Sequence, residues 1–372
     1  MTARPDVLVI GAGIVGAACA YALARDGLRV TVLEQAFPGG GTTAAGMGHV
    51  VVMDDSEAQF ALTAWSRRLL DALLPELPAT AEFQRAGTLW VAEDDAQLDA
   101  ARAKLGYYLE RGVRAELLDA AALREAEPKL RPGLAGGLRV PDDAVVYPPT
   151  VARWLLAEAE RRGAAVRRGA TVRRIEAHGV VTDEGVQSAG HVVNAAGAAA
   201  PALTPGLPVV PRKGHLVITE RTPGFCRHQM VELGYLRSAH TLTAASVAFN
   251  VQPRATGQLL IGSSRELVGW DASINREVLG QMLRRAIAFM PSLSAIPAAR
   301  TWTGFRPATP DKLPLVGRWP AVPGLWIAAG HEGLGITTAL GTGMLLADLL
   351  LGRPSPIDAG AFAPGRAMPE VV

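Results

Sequence analysis

Three glycines near the start carry the clearest chemistry in the chain: Gly11-Ala12-Gly13-Ile14-Val15-Gly16 is a G-x-G-x-x-G turn. Such a turn, leaving a strand and opening a helix, holds a pyrophosphate. Gly11 makes the tight turn, Gly13 lets the backbone approach the phosphates, and Gly16 lets helix and strand pack closely. The N–H groups and positive dipole end of the helix, at Ile14 and Val15, face the anion. Glu34 follows Gly11 by 23 residues, where a carboxylate accepts hydrogen bonds from an adenosine ribose; Gln35 lies beside it. An acid there, rather than a base, argues against a 2′-phosphate and so against NADP. A ligand-free βαβ unit would also show strand, turn and helix; the acid in register favours a dinucleotide.

The elements that position these groups follow from pattern. Residues 7–10 are a short apolar run with β-branched side chains, 14–25 read as a helix closed at Gly27, and 28–33 as a second strand ending on Glu34. A loop of small residues, 38–49, contains Thr42, Thr43, Ala45, Gly46, Met47 and His49 and allows close approach to a cofactor, although an ordinary loop has the same composition. Helices are expected over 56–74, within 91–109 and over 120–127, then a crossing loop at 140–148 and a helix over 148–162 begun by two prolines. Strands opening at Val166 and at 171–175, the latter with Val172, resemble the outer strands of a dinucleotide domain. Residues 191–197 read as strand and turn, with Ala196 and Gly197 offering a second backbone approach, or a plain turn. From 209 the texture becomes antiparallel: 209–218, a stretch through Leu242, 247–251 and 259–262, covered by a helix over 277–289. The chain returns through 301–307 to a strand at 325–330 and a Gly-rich turn at 331–335. A closing helix over 336–351 should point its N-terminus at a ligand dipole or anion.

Composition bounds the reading. At 372 residues, with about 150 per domain as a guide, two or three domains are expected. Hydrophobic content of 49% with 19% charged residues describes a well-buried globular chain. The formal net charge of +2 is scattered, and each arginine pair has an acid nearby or sits on an expected helix face, which speaks against nucleic acid. Two isolated cysteines, Cys19 and Cys226, make no disulfide framework, zinc site or iron–sulfur cluster; no metal site is expected, and a reducing cytoplasm fits. The uncharged run 7–24 is explained by the βαβ register, and no transmembrane segment is expected.

Taken in order, the turn 11–16, Glu34, the loop 41–47, Asn194-Ala195-Ala196-Gly197, Pro211-Arg212-Lys213-Gly214, Gly304-Phe305-Arg306-Pro307 and Gly330-His331-Glu332-Gly333-Leu334-Gly335 resemble the D-amino-acid oxidase superfamily of flavoproteins. Within it the chain is similar to glycine oxidase and sarcosine oxidase, and in its 41–49 loop most to D-hydroxyproline dehydrogenases. The resemblance implies an α/β fold. A Rossmann-like (GR2-type) FAD domain over 1–80, 140–208 and 300–372 would interleave with an α+β substrate domain over 81–139 and 209–299, built on a mostly antiparallel sheet.

It also implies roles. Gly11, Gly13 and Gly16 would hold the pyrophosphate and Glu34 the ribose. Thr42, Thr43, Ala45, Gly46 and Met47 would line the ribityl chain and ring; Val172 would clamp the adenine side, with Ala196 and Gly197 touching the cofactor. Gly330, His331, Gly333, Leu334, Gly335, Ile336 and Thr337 would wrap the ring edge. Arg306 matches the family's substrate-carboxylate arginine, a role a guanidinium fork suits; a structural ion pair is the alternative. Glu332 could hold a substrate ammonium or ring hydroxyl, and His49 and His331 could bond the ring edge. Asn250 stands where glycine oxidase-like proteins have tyrosine, and Gly333 where some members have arginine. No cysteine lies between Arg306 and Gly330, so FAD is expected to be non-covalent.

The implied activity is oxidation of a small amino or imino acid, proline-type favoured, to the imine by hydride transfer to flavin N5. Electrons would pass to O2, to a quinone or to a partner subunit, the last making a hetero-oligomer; a flavin-binding subunit without its own catalysis is the further alternative.

Overall fold

The computed structural model describes residues 4–234 and 245–369; the expected strand texture at Leu242 lies outside them. A six-stranded sheet carries the first glycine turn. Its order is Leu315–Arg318, Leu325–Ala329, His191–Asn194, Val7–Ile10, Val30–Glu34, Ala165–Arg168. All neighbours are parallel except Leu315–Arg318, which runs antiparallel to Leu325–Ala329. Val7–Ile10 is buried throughout, as a strand covered on both faces must be. The helices Ile14–Arg25 and Gly335–Leu350 cross at backbone contact, because Gly343 lies on Ala18: a Cβ there would be 2.7 Å from the Ala18 carbonyl carbon.

The second sheet has eight strands in the order Ala298–Ala308, Val210–Thr219, Leu259–Arg265, Ser246–Pro253, Gln229–Glu232, Thr88–Ala92, Gly136–Val140, Glu116–Asp119. Among the described residues only Gln229–Glu232 and Thr88–Ala92 pair in parallel in this sheet. The helix Arg276–Phe289 packs on this sheet through Val278, Met282, Ala286 and Phe289, whose spacing makes one apolar face. Phe289 stacks on Phe249 with ring centroids 4.3 Å apart.

Several local expectations change. The helix expected within 91–109 begins only at Asp95, capped by Asp94, because Thr88–Ala92 is an interior strand. The crossing segment 140–148 contains a short strand, Ala144–Val145, paired with His49–Val50. Val172–Glu176 is not an outer strand of the six-stranded sheet. It pairs with Gly179–Thr182 in a three-stranded meander with Gly185–Ser188, and Ala165–Arg168 alone forms the outer edge. The cause is local: Gly169, at φ +74°, turns the chain away, and exposed Arg173 and Arg174 suit a small solvated sheet. Residues 301–307 lie in the edge strand Ala298–Ala308, so the expected domain boundary at residue 300 falls inside that strand and Arg306 is carried by the larger sheet.

Candidate functional site

A cavity of about 500 Å³ runs from the first glycine turn to the edge strand of the larger sheet. At one end Gly11, Gly13, Ile14 and Val15 line it. Gly11 has φ +96°, and a Cβ on it would sit 2.8 Å from the Ala195 carbonyl oxygen, so the turn admits only glycine. Gly16 does not line the cavity; it packs on the Gly11 carbonyl and lets the helix start there. Thr43 Oγ1 accepts from the Ile14 N–H at 3.0 Å, capping the helix from across the cavity. Glu34 Oε2 accepts from the Ala12 N–H at 2.7 Å and Oε1 from the Ala36 N–H at 2.8 Å. The acid therefore fixes the turn's shape as well as lining the cavity beside Gln35.

Thr42, Thr43, Ala45, Gly46 and Met47 line the middle. Their loop is a short helix, Gly41–Ala45, tied to the larger sheet: Thr42 Oγ1 donates to the Phe305 carbonyl at 2.6 Å. Val172, Ala196 and Gly197 line the cavity as well, Val172 from the separate meander rather than the main sheet.

At the other end are Arg306, His49, Asn250, His331, Glu332, Gly333, Gly335 and Ile336. Arg306 Nη1 donates to the Ser264 carbonyl at 3.0 Å, and its guanidinium lies over Gly214. His331 is buried and bonded through Nε2 to Thr342 Oγ1 at 3.0 Å; burial lowers its pKa to about 3, so the ring is neutral. His49 is held at about 4 by burial, then by the charges of Arg254 and Arg306. Its Nε2, like Asn250 Oδ1, is buried without a hydrogen-bond partner. Gly330 and Thr337 stand behind the lining: Gly330 makes a turn at φ +82°, and Thr337 Oγ1 donates to the His49 carbonyl at 2.9 Å.

Glu332 differs from expectation in its partner. Its carboxylate pairs with Arg212 at 3.1 Å. Burial works to raise its pKa, but the charges of Arg306, Arg265 and Arg212 outweigh burial and hold it low. Its backbone is left-handed at φ +46°, and its N–H donates to the Pro307 carbonyl at 2.8 Å. A non-glycine residue held there stores strain, as functional sites often do.

His49, Asn250, Glu332 and Gly333 also line a second chamber of about 110 Å³, whose wall includes Leu334. Sequence reasoning missed its other walls: Arg212, Arg265, Lys312, Gln59, Trp90 and Gln229. One signal was present, since Arg212 sits in a motif that pairs directly opposite Arg306 across the two strands. The rest come from five separate segments and share no sequence pattern.

The residues fit an extended dinucleotide: a glycine-only turn, an acid beside it, a small-residue middle, and orphaned polar atoms at the far end, including Ser263 Oγ. Neither Cys19 nor Cys226 lines the cavity. Among the described residues no helix is long and apolar enough to cross a membrane, and no group of side chains could hold a metal ion.

Comparison with known proteins gives the same assignment. The hydrogen cyanide synthase subunit HcnC of Pseudomonas aeruginosa is 30% identical, over 98% of this chain and 97% of that one. The crystal structure of glycine oxidase from Geobacillus kaustophilus superposes with a TM-score of 0.88 at 27% identity, covering 98% of this chain and 100% of that one. The L-proline dehydrogenase from P. horikoshii gives a TM-score of 0.87 at 25% identity, covering 97% of each chain. The FAD dependent oxidoreductase (DAO) family model matches residues 6–349. With FAD as its cofactor and the mixed α/β fold of these enzymes, this chain belongs to the DAO family of FAD-dependent oxidoreductases.

Proposed function

We propose that this enzyme oxidises a small amino or imino acid to the imine, with Arg306 holding the substrate carboxylate. The observation that carries this reading is Arg306 itself: a guanidinium set in the cavity wall, fixed by the Ser264 carbonyl and packed over Gly214. A fork of N–H donors so placed suits bidentate capture of a carboxylate. FAD, when bound, supplies the two-electron acceptor for the substrate's hydride. The chain's own work is to hold FAD through Gly11, Gly13, Glu34 and the 42–47 loop, to orient the substrate, and to exclude water. Neutral His49 and His331 add no positive charge of their own to the substrate end at pH 7. Asn250 and His49 offer polar atoms to the substrate's nitrogen side.

A proline-type ring is the favoured frame, supported by the sequence resemblance of the 41–49 loop and by likeness to an L-proline dehydrogenase. An O2-using oxidase of the glycine oxidase kind is the second reading, favoured by the glycine oxidase likeness. Similarity to a named subunit, HcnC, supports a hetero-oligomer in which a partner accepts electrons. We place the enzyme in the cytoplasm. An anaerobic screen of D-proline, D-hydroxyproline, sarcosine, glycine and D-alanine tests the reading by loss of the yellow flavin colour. Oxygen consumption against dye reduction then separates oxidase from dehydrogenase. If no amino acid bleaches the flavin, the reading fails.

A further inference from the structure

The larger sheet opens where Arg306 sits. The interior strands Val210–Thr219 and Leu259–Arg265 pair at Val217 with Ile261 and at Ile218 with Leu260. They meet again at Lys213 and Glu266, which exchange backbone hydrogen bonds at 2.9 and 3.0 Å. Between those points residues 214–216 face residues 262–265, three against four, so the ladder bulges. All seven residues are buried, and the backbone groups freed by the bulge must find partners other than water. The His215 N–H donates to Ser264 Oγ at 2.9 Å in place of a facing carbonyl. The Ser264 carbonyl accepts from Arg306 Nη1 at 3.0 Å. The guanidinium thus lies in the gap, over Gly214, where a bulge can aim a side chain that a regular ladder would exclude.

His215 closes this arrangement from the face of the sheet away from the cavity. Gly214 and Leu216 line the cavity, and strand alternation turns the residue between them to the other side. There His215 Nε2 accepts from the Asn275 N–H at 3.0 Å, so the neutral ring carries its proton on Nδ1. That Nδ1–H donates to Ser264 Oγ at 2.9 Å. Ser264 Oγ therefore takes two hydrogen bonds from one residue, one from its backbone and one from its ring, and both lone pairs are used. His215 and Ser264 are each 0% exposed. Lys213 and Glu266 flank the ring. Burial lowers the His215 pKa more than Glu266, 3.5 Å from Nδ1, raises it, and the Lys213 charge lowers it further, so the ring is neutral at pH 7.

We propose that His215 is a positioning residue for substrate binding: its ring, through Ser264, fixes the carbonyl on which the Arg306 guanidinium is seated. The inference rests on the reading that Arg306 holds the substrate carboxylate, and it deepens that reading by one residue that touches neither substrate nor cofactor. Without the ring, Ser264 keeps a single bond to the facing strand at the one place where the ladder is open. The Ser264 carbonyl then shifts, and the fork of N–H donors turns with it. The ring also reaches Asn275, whose side chain caps the helix Arg276–Phe289, so a purely structural role for His215 is the competing account.

The test is carboxylate binding to the holoenzyme, followed through its visible spectrum, with propionate as the probe and propionamide as its neutral counterpart. His215→Asn keeps a donor at the place of Nδ1 and loses the acceptor at Nε2; His215→Gln does the reverse. Ser264→Ala removes Oγ and keeps the carbonyl. His215→Gln and Ser264→Ala should each raise the propionate Kd about five- to tenfold while FAD retention stays within about twofold of the parent. Either variant serves if the other does not load FAD. His215→Asn should hold the propionate Kd within about twofold, although its Tm falls with the lost Asn275 contact. A Kd that follows Tm or FAD loss across the three variants makes the role structural and overturns the inference. An unchanged propionate Kd in His215→Gln and Ser264→Ala also overturns it and leaves the proposed function standing. A parent enzyme that binds propionate no better than propionamide overturns the carboxylate role of Arg306, and the inference falls with it.

Discussion

Replacing Gly214 by alanine should disable substrate binding without touching the substrate. Gly214 lies in the strand Val210–Thr219, opposite Gly304 of the strand that carries Arg306. A Cβ added there would overlap Arg306 Nη1 and lie 3.0 Å from the guanidinium carbon and 2.9 Å from the Ser264 carbonyl oxygen. The carbonyl is backbone and cannot give way, so the guanidinium must move by roughly 1 Å, a displacement that can cost about 100-fold when it misplaces a binding group. The shift also breaks the Arg306–Ser264 hydrogen bond, which as a charged contact is worth about 1.5–3 kcal/mol. Together these predict a 10- to 100-fold rise in substrate Kd, roughly 1.4–2.8 kcal/mol. Stopped-flow reduction under anaerobic conditions measures Kd and the limiting rate separately, and the flavin spectrum reports that FAD is still held. Gly333→Ala is the comparison: its Cβ would stand 3.7 Å from Arg306 Nε, an ordinary contact, and should cost less. A folded, FAD-loaded Gly214→Ala enzyme with Kd and rate within about twofold of the parent would refute the reasoning.

Glu34→Gln should weaken FAD by about tenfold or more, because the carboxylate accepts two backbone N–H groups that shape the turn and, in the proposed reading, also serves the ribose; flavin retained after ultrafiltration measures it. Gly343→Ala should lower Tm, since the new methyl meets the Ala18 backbone where the two helices cross, an overpacking cost of about 1–3 kcal/mol or more; a thermal melt that does not move would remove the crossing from the account. Acid should destabilise the fold. His331 and His49 have folded pKa values of about 3 and 4 against an ordinary 6.5, so the unfolded chain binds more protons and their stability, full above pH 6.5, is lost as pH falls from there towards 4 and 3. Asp143, raised to about 6 by burial, opposes them between 6 and 3.8. The balance is at most one proton, about 1.4 kcal/mol per pH unit, and His331→Asn should flatten the fall in Tm between pH 7 and 5.

What could be read in advance was whatever local chemistry dictates. The turn at Gly11–Gly16 has one workable use for each glycine, and Glu34 stands at a fixed distance from it, so the place of Gly11, Gly13 and Glu34 on the cavity wall was legible, while Gly16 lies behind it. Arg306 was legible by family likeness, but its seat was not: that it sits on an edge strand of the larger sheet depends on pairing with Val210–Thr219 at long range. Glu332 was given a free carboxylate because its partner, Arg212, is 120 residues away. Val172 lines the cavity, but from the separate meander and not from an outer strand of the main sheet, because the chain turns away at 169–171. The second chamber was invisible for the same reason throughout: its polar atoms meet only after both sheets have formed.

The most direct measurement is a cycle that removes the two halves of one contact. An amino acid that bleaches the flavin is compared with the same amine lacking its carboxylate, in the parent enzyme and in Arg306→Leu. If Arg306 grips the carboxylate, each single removal should lower kcat/KM by about 30- to 1,000-fold, roughly 2–4 kcal/mol when the pair is desolvated. The second removal should then cost little more. Equal losses for the carboxylate in both enzymes would contradict the account.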